Sequence, residues 1–192
     1  MASARSGEGT MTVPVRTISG LSKALLAGAL FATIYGVDQW VKHLVESTMQ
    51  VGQTITVIDG WLWWRYYLNS GAAFSMGEGS TWIFTIISTV GALVCLWLIV
   101  RARTLPWVVL LATLAGGIVG NLHDRLFREP GFGVGHVVDY ISVPNFAIFN
   151  IADASICISM AAIVLLTFLG YRMDGQREVK AEETAVKGGA SE

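Results

Sequence analysis

Apolar residues gather along this chain in four long runs, over residues 21–41, 82–100, 105–122 and 147–171, with short polar stretches between them. Each run is close to the roughly 20 residues that a helix needs to cross the hydrocarbon core of a bilayer. The pattern therefore predicts four transmembrane helices, and an even number returns both ends of the chain to one side. The first run is not read as a removable leader, because no small-residue cleavage site follows it and its outer end carries Asp38 and Lys42. Between the first two runs the period changes from helical to two. Thr54 and Thr56 alternate with Ile55 and Val57, Trp61-Leu-Trp-Trp-Arg-Tyr-Tyr67 follows, and Gly52, Gly60 and Gly71 punctuate the segment. Strand-forming and aromatic residues in that period predict a small β-sheet over residues 50–76. Trp and Tyr favour the headgroup level, so the sheet is expected on the membrane surface, with one subset of its aromatic residues in the headgroups and the other lining a substrate path.

The remaining segments divide the chain. Residues 1–16 are rich in Ser, Gly and Thr, and residues 174–192 mix charges with Ala and Gly. Neither buries enough apolar surface to order itself, so both are expected to be disordered cytoplasmic tails around a membrane domain of residues 17–173. Arg128-Glu-Pro-Gly-Phe-Gly-Val-Gly135 makes the loop at about residues 126–138 a candidate lid. The small residues in Ala115-Gly-Gly-Ile-Val-Gly120 favour close helix packing.

Composition agrees with a mainly α, integral membrane fold of four transmembrane helices with an extracytoplasmic sheet and a lid-like loop. The chain is 53% hydrophobic and 14% charged, with a mean hydropathy of +0.56, too apolar for an ordinary soluble domain. A net charge of −1 and the lack of a basic stripe exclude a nucleic-acid partner. Most of the basic residues (Arg5, Arg16, Lys23, Arg101, Arg103, Arg172, Arg177, Lys180 and Lys187) fall in the termini and the second-to-third turn. The positive-inside rule then puts both termini in the cytoplasm and the other two loops outside. Cys95 and Cys157 each sit within an apolar run and read as small packed hydrophobes, not as a disulfide or metal site.

Against this apolar background the carboxylates stand out. Asp139 in His136-Val-Val-Asp-Tyr-Ile141 and Asp153 in Phe149-Asn-Ile-Ala-Asp153 lie near the outer ends of apolar segments with no cation close in sequence. Carboxyls at membrane depth are costly and usually functional, and a close pair sharing one proton can activate water and polarise a carbonyl at near-neutral pH. The reading is an intramembrane aspartic peptidase, active near the outer face. One aspartate, ionised, takes a proton from water while its protonated neighbour hydrogen-bonds the scissile carbonyl. Asp38 and Lys42 are four apart, Asn121 is three and four before Asp124 and Arg125, and Asn150 is three before Asp153, so each group shares a helix face. Asp38–Lys42 and Asp124–Arg125 are expected as structural pairs that lower the cost of charge. Asn121 and Asn150 are positioned to orient the carboxyls, Arg125 to anchor the lid loop, Asn69 to offer amide hydrogen bonds, and Gly71 to permit close backbone approach to a substrate. His43, His123 and His136 lack metal-site spacing, and no Ser is spaced with an activating base. No metal or cofactor is expected. The alternative class is a proton-coupled transporter or channel subunit, although the two halves show no internal repeat.

Five segments carry a family resemblance: Asp38-Gln-Trp-Val-Lys42, Asn69-Ser-Gly-Ala-Ala-Phe74, Gly120-Asn-Leu-His-Asp-Arg125, Val137-Val-Asp-Tyr-Ile141 and Phe149-Asn-Ile-Ala-Asp153. In this order on four spans they resemble the signature boxes of the lipoprotein signal peptidases (signal peptidase II), over roughly residues 20 to 172. The resemblance implies an endopeptidase of the bacterial inner or plasma membrane that cuts diacylglyceryl-modified prolipoproteins just before the lipidated cysteine. It implies Asp139 and Asp153 as catalytic dyad, with Asp38, Lys42, Asn69, Asn121, Asp124, Arg125 and Asn150 in support. The partners it implies are lipid-modified prolipoproteins and membrane lipids, and a monomer is the expectation. Tyr140 stands where the family commonly has Phe, and Ile118-Val119 bulks up a stretch that often carries Ala. Neither departure falls on the dyad.

Overall fold

A computed structural model of the chain describes residues 10–71 and 81–180. The end of the 69–74 box and the outer parts of both tails lie outside the described residues. The chain runs as β1 (Thr10–Pro14), α1 (Gly20–Thr48), β2 (Thr54–Ile58), β3 (Leu62–Asn69), α2 (Thr81–Arg101), α3 (Leu105–Phe127), β4 (Val137–Ser142), α4 (Ile151–Phe168) and β5 (Gln176–Lys180). All four helices are long and apolar enough to cross a membrane, and α2 turns a broad apolar face outward, including Ile86, Val90, Leu93 and Trp97. Such a surface requires lipid and not water around it.

The central helix is α3. Of its most apolar stretch 56% is buried, against at most 17% in the other three, and it packs on α1, α2 and α4. Small residues permit that approach. A Cβ on Gly116 would come within 2.9 Å of Ile34 in α1, and one on Gly117 within 2.6 Å of the Ala152 carbonyl in α4. Along α1 the buried positions Ala27, Asp38, Lys42 and Val45 fall at helical spacing, so two charges share the stripe that faces α3.

Two helices are longer than the hydropathy runs that predict them. The first continues to Thr48 and the third to Phe127, because their C-terminal turns carry polar residues that pair with one another and so need not leave the helix. The fourth helix is shorter. It starts at Ile151, not at 147, and the residues before it are extended: Phe149 accepts from the Tyr140 and Ile141 amides at 3.1 and 2.8 Å and donates to the Ile141 carbonyl at 3.0 Å.

The predicted sheet exists and has one more strand than the 50–76 segment supplies, with order β2-β3-β4, all antiparallel. Asp59-Gly60-Trp61 joins β2 to β3, with Gly60 at φ +69° and the Trp61 amide bonded to the Ile58 carbonyl, a three-residue hairpin that needs glycine in the left-handed region. Tyr66 and Tyr140 pack with Val45, Met49 and Val138, where the sheet sits on the C-terminal end of α1. Of the aromatic residues expected to divide between headgroups and substrate path, Trp61 is exposed, while Trp64 and Tyr66 belong to this packing.

Parts of both tails are ordered. Residues 10–14 and 176–180, expected as unstructured, pair antiparallel with Thr12 opposite Glu178, and the Glu178 amide bonds the Gly170 carbonyl at 2.9 Å. Four helices bring the two ends to one side, so little loop-closure entropy opposes this pairing, and Thr10, Thr12 and Val13 in β1 favour it.

Candidate active site

The two candidate aspartates arrive on different kinds of element. Asp139 sits in β4, opposite Tyr67 in β3. Asn69 is two positions further along β3, on the same face, and its Nδ2 donates to Asp139 Oδ2 at 2.9 Å. Asp153 sits in the first turn of α4, where Asn150 is the N-cap. Asn150 Oδ1 accepts from the Asp153 amide at 2.9 Å, and the Asn150 amide donates to Asp153 Oδ2 at 3.1 Å. This reciprocal capping box makes the carboxyl of Asp153 part of the device that starts the helix. Its pattern, Asn three residues before Asp ahead of an apolar run, was available in the sequence as a helix start at 151.

Asn150 also joins the two carboxyls. Its Nδ2 donates to Asp139 Oδ1 at 2.7 Å and to Asn121 Oδ1 at 3.1 Å. Asn121 in turn donates from Nδ2 to Asp153 Oδ1 at 2.7 Å. Each candidate carboxyl thus accepts one hydrogen bond on each oxygen, leaving further lone pairs for a water or substrate. Both line one cavity of about 180 Å³ with Asn69, Gly71, Asn121 and Arg125. Asn121 and Asn150, expected to orient the carboxyls, each donate to one of them, and Asn69, expected to offer its amide to a substrate, donates to Asp139. The five aromatic residues of the 61–67 segment do not line the cavity; Phe146 and Phe149, just before Asn150, do.

Beneath the asparagines lies a buried ion cluster. Lys42 Nζ reaches Asp38 Oδ2 and Asp124 Oδ2, both at 2.8 Å, and Asn121 Oδ1 at 2.9 Å, with the side chains of Lys42, Asp38 and Asp124 wholly buried. Three acceptors match the three donors of an ammonium. Because the cation holds Asn121 Oδ1, the Nδ2 of that amide must point toward Asp153. Asp38 Oδ1 accepts from the Ala152 amide at 3.0 Å, so the first helix also clamps the start of the fourth. A Cβ on Gly120 would come within 2.6 Å of Asp38 Oδ2, which explains glycine there.

One expected pair does not form. Asp124 is not partnered by Arg125 but by Lys42 and by Arg128, whose Nε lies 2.8 Å from Asp124 Oδ1. Adjacent helix residues point about 100° apart, whereas Arg128 lies one turn on, and Arg128 also pairs with Glu46. Arg125 instead bonds the Gly71 and Asn121 carbonyls, each at 3.3 Å. Gly71 itself is held by a 2.9 Å bond from its amide to Asn69 Oδ1.

The loop read as a lid is stitched to α3. The Gly135 amide bonds the Arg125 carbonyl and the His136 amide the Glu129 carbonyl, both at 2.9 Å, and a Cβ on Gly135 would come within 2.3 Å of the Asp124 carbonyl. Thr85 Oγ1 of α2 donates to the Gly133 carbonyl at 2.7 Å. Asp124 Oδ2 accepts from the Val138 amide at 3.3 Å, one residue before Asp139.

Electrostatically the site favours retention of a proton. Burial first, and then the negative charge of Asp153, push the Asp139 carboxyl up to about 7, against the lowering effect of the Asn69 and Asn150 hydrogen bonds. Burial likewise raises Tyr140. Among the described residues no three His, Cys, Asp or Glu side chains gather as a metal would require. Cys95 is buried against Leu114 and Ala115; Cys157 is exposed and borders the cavity.

Comparisons with known proteins agree on one family. The family described as Signal peptidase (SPase) II matches residues 30–169. A lipoprotein signal peptidase of Leifsonia xyli is 43% identical over 92% of this chain and 82% of its own length. One from Streptomyces coelicolor is 42% identical over 79% of this chain and 73% of its own, and one from Mycobacterium avium 39% over 80% and 85%. A solved bacterial membrane enzyme superimposes with a TM-score of 0.69 at 27% identity, covering 80% of this chain and 92% of that one.

Proposed function

Because the chain belongs to the signal peptidase II family, we infer that it removes signal peptides from lipoproteins, and we propose that it does so as an aspartic endopeptidase with Asp139 and Asp153 as its dyad. The observation that carries this proposal is the two-sided grip of Asn150 on both carboxyls beside a common cavity. The family match does not favour a transporter or channel subunit.

In this mechanism the pair holds one proton. The ionised member accepts a proton from a water held between the carboxyls, and that water attacks the scissile carbonyl carbon. The protonated member donates to the carbonyl oxygen as it becomes an oxyanion. Collapse of the tetrahedral intermediate returns a proton to the leaving amine and regenerates the shared state. The roles belong to the pair, not to either residue alone. Asn69, Asn121 and Asn150 fix the carboxyl planes. Arg125 holds the Gly71 carbonyl at the wall of the cavity. The substrate class is a prolipoprotein whose cysteine carries a diacylglyceryl group, cut just before that cysteine, with both termini of the enzyme in the cytoplasm and the dyad near the outer face.

The reading is tested by incubating purified protein in detergent with one prolipoprotein in lipid-modified and unmodified forms. Cleavage of the modified form alone is expected on a gel. Equal cleavage of both, or of neither, rejects the substrate assignment.

The proton held by the dyad sets the pH dependence. A carboxyl raised to about 7 keeps its proton below that pH and loses it above, and without it neither aspartate can donate to the oxyanion. The kcat/KM for cleavage is therefore expected to fall on the alkaline side of neutrality, approaching about tenfold per pH unit for a single essential proton. A profile flat from pH 6 to 9 contradicts the shared-proton mechanism.

A further inference from the structure

A second cavity lies at the other end of the bundle from the dyad. It encloses about 780 Å³ and is bordered by Arg16, Ile18, Ser19, Ser22, Thr104 and Leu105, among others. From Leu105 to Asn121 the third helix rises about 24 Å, so this cleft and the peptidase site are separated by most of the membrane thickness.

Two helices begin at its walls. Ser19 is the N-cap of α1 and Thr104 the N-cap of α3. Both helices run in the same direction from this end, so their positive termini converge. The Ser19 side chain caps its helix, accepting from the Ser22 amide at 3.4 Å. The Thr104 side chain caps nothing. Thr104 is 2% exposed, and its Oγ1 is buried with no hydrogen-bond partner, a costly state for a hydroxyl. Arg16 borders the cleft with its side chain exposed, and no carboxylate lines it. The walls are held in place: the Ile18 amide bonds the Arg103 carbonyl at 2.9 Å, and Thr17 bridges Thr104.

We propose that this cleft binds an anionic phospholipid, its phosphate held between Arg16, the Thr104 hydroxyl and the paired N-termini of α1 and α3. Convergent helix N-termini with a cation and a spare hydroxyl donor suit a phosphate. The apolar share of the lining, including Val15, Ile18, Leu105 and Pro106, suits a glycerol backbone. Leu21 and Leu25 on α1 and Leu105 on α3 are exposed just beyond the cleft and continue it onto the surface that faces acyl chains. That continuity selects a lipid headgroup over a free anion.

Native mass spectrometry of the full chain in neutral detergent, titrated with phosphatidylglycerol or phosphatidylcholine, tests the assignment. Saturable binding of phosphatidylglycerol is expected, at least tenfold tighter than phosphatidylcholine. Arg16→Gln should weaken it about fivefold, the usual effect of one basic residue at an anionic lipid surface, and the near-isosteric Thr104→Val should weaken it as well. Arg65→Gln, at the opposite end, should leave it unchanged. Equal binding of the two lipids, displacement of phosphatidylglycerol by millimolar inorganic phosphate, or unaltered affinity in both Arg16→Gln and Thr104→Val overturns the proposal.

Discussion

Asp139→Asn and Asp153→Asn are each expected to lower prolipoprotein cleavage by between about a hundredfold and ten-thousandfold, the range for loss of a positioned acid or base, while the protein still inserts and folds. Asn in place of Asp139 keeps the shape of the side chain and one good acceptor. It sets one amide NH2 against the donor of either Asn69 or Asn150, a local cost set against relief from burying a shared charge. The same holds for Asp153, whose oxygens receive Asn121 and the Asn150 amide. Thermal unfolding in detergent should therefore stay within a few degrees of the parent. Normal turnover by either variant, at matched expression, removes the dyad assignment.

Lys42→Met should be the most damaging single change to stability. The ammonium serves two fully buried carboxylates and Asn121, and removal of one partner of a buried ion pair costs about 3–5 kcal/mol because it strands the other charge. Asp124 retains Arg128; Asp38 is left with hydrogen bonds alone. Activity should fall too, because Asn121 loses the contact that orients its amide toward Asp153. Adding Asp38→Asn to Lys42→Met removes the stranded charge while keeping an acceptor for the Ala152 amide, so part of the lost melting temperature should return. An unaltered melting temperature in Lys42→Met, or no recovery in the double variant, shows that the cluster is not the structural support described.

The helices, the small sheet and the polar residues of the site were legible because hydropathy, period two and helical spacing are local signals. What joins them is not local. Asp38 and Lys42 share a helix face by spacing alone, but nothing in the sequence places Asp124 against Lys42, since that contact depends on how closely Gly116 and Gly120 let α3 approach α1. For the same reason the pairing of Asp124 passed from the neighbouring Arg125 to Arg128. Asp139 read as the end of an apolar segment because Val137, Val138 and Ile141 are apolar; its place on a strand follows from pairing with β3, some 70 residues earlier. The start of the fourth helix was recoverable, since Asn150 and Asp153 form a capping box, but the apolar residues before Asn150 masked it. The β1–β5 ribbon was hidden because each strand is only five residues long and its partner lies at the other end of the chain.

The dependence of both carboxyls on Asn150 bears on safety. A protease resident in a bilayer is surrounded by the transmembrane segments of other proteins, and a partly assembled one would be a hazard to them. Here the second carboxyl is set by the turn that opens α4, that turn is held by Asp38 of α1, and the first carboxyl is set by a strand that the same asparagine touches. With Asp139 and Asp153 as the dyad proposed above, a chain whose last helix has not docked has no competent pair, and proteolytic competence arrives only with the finished bundle.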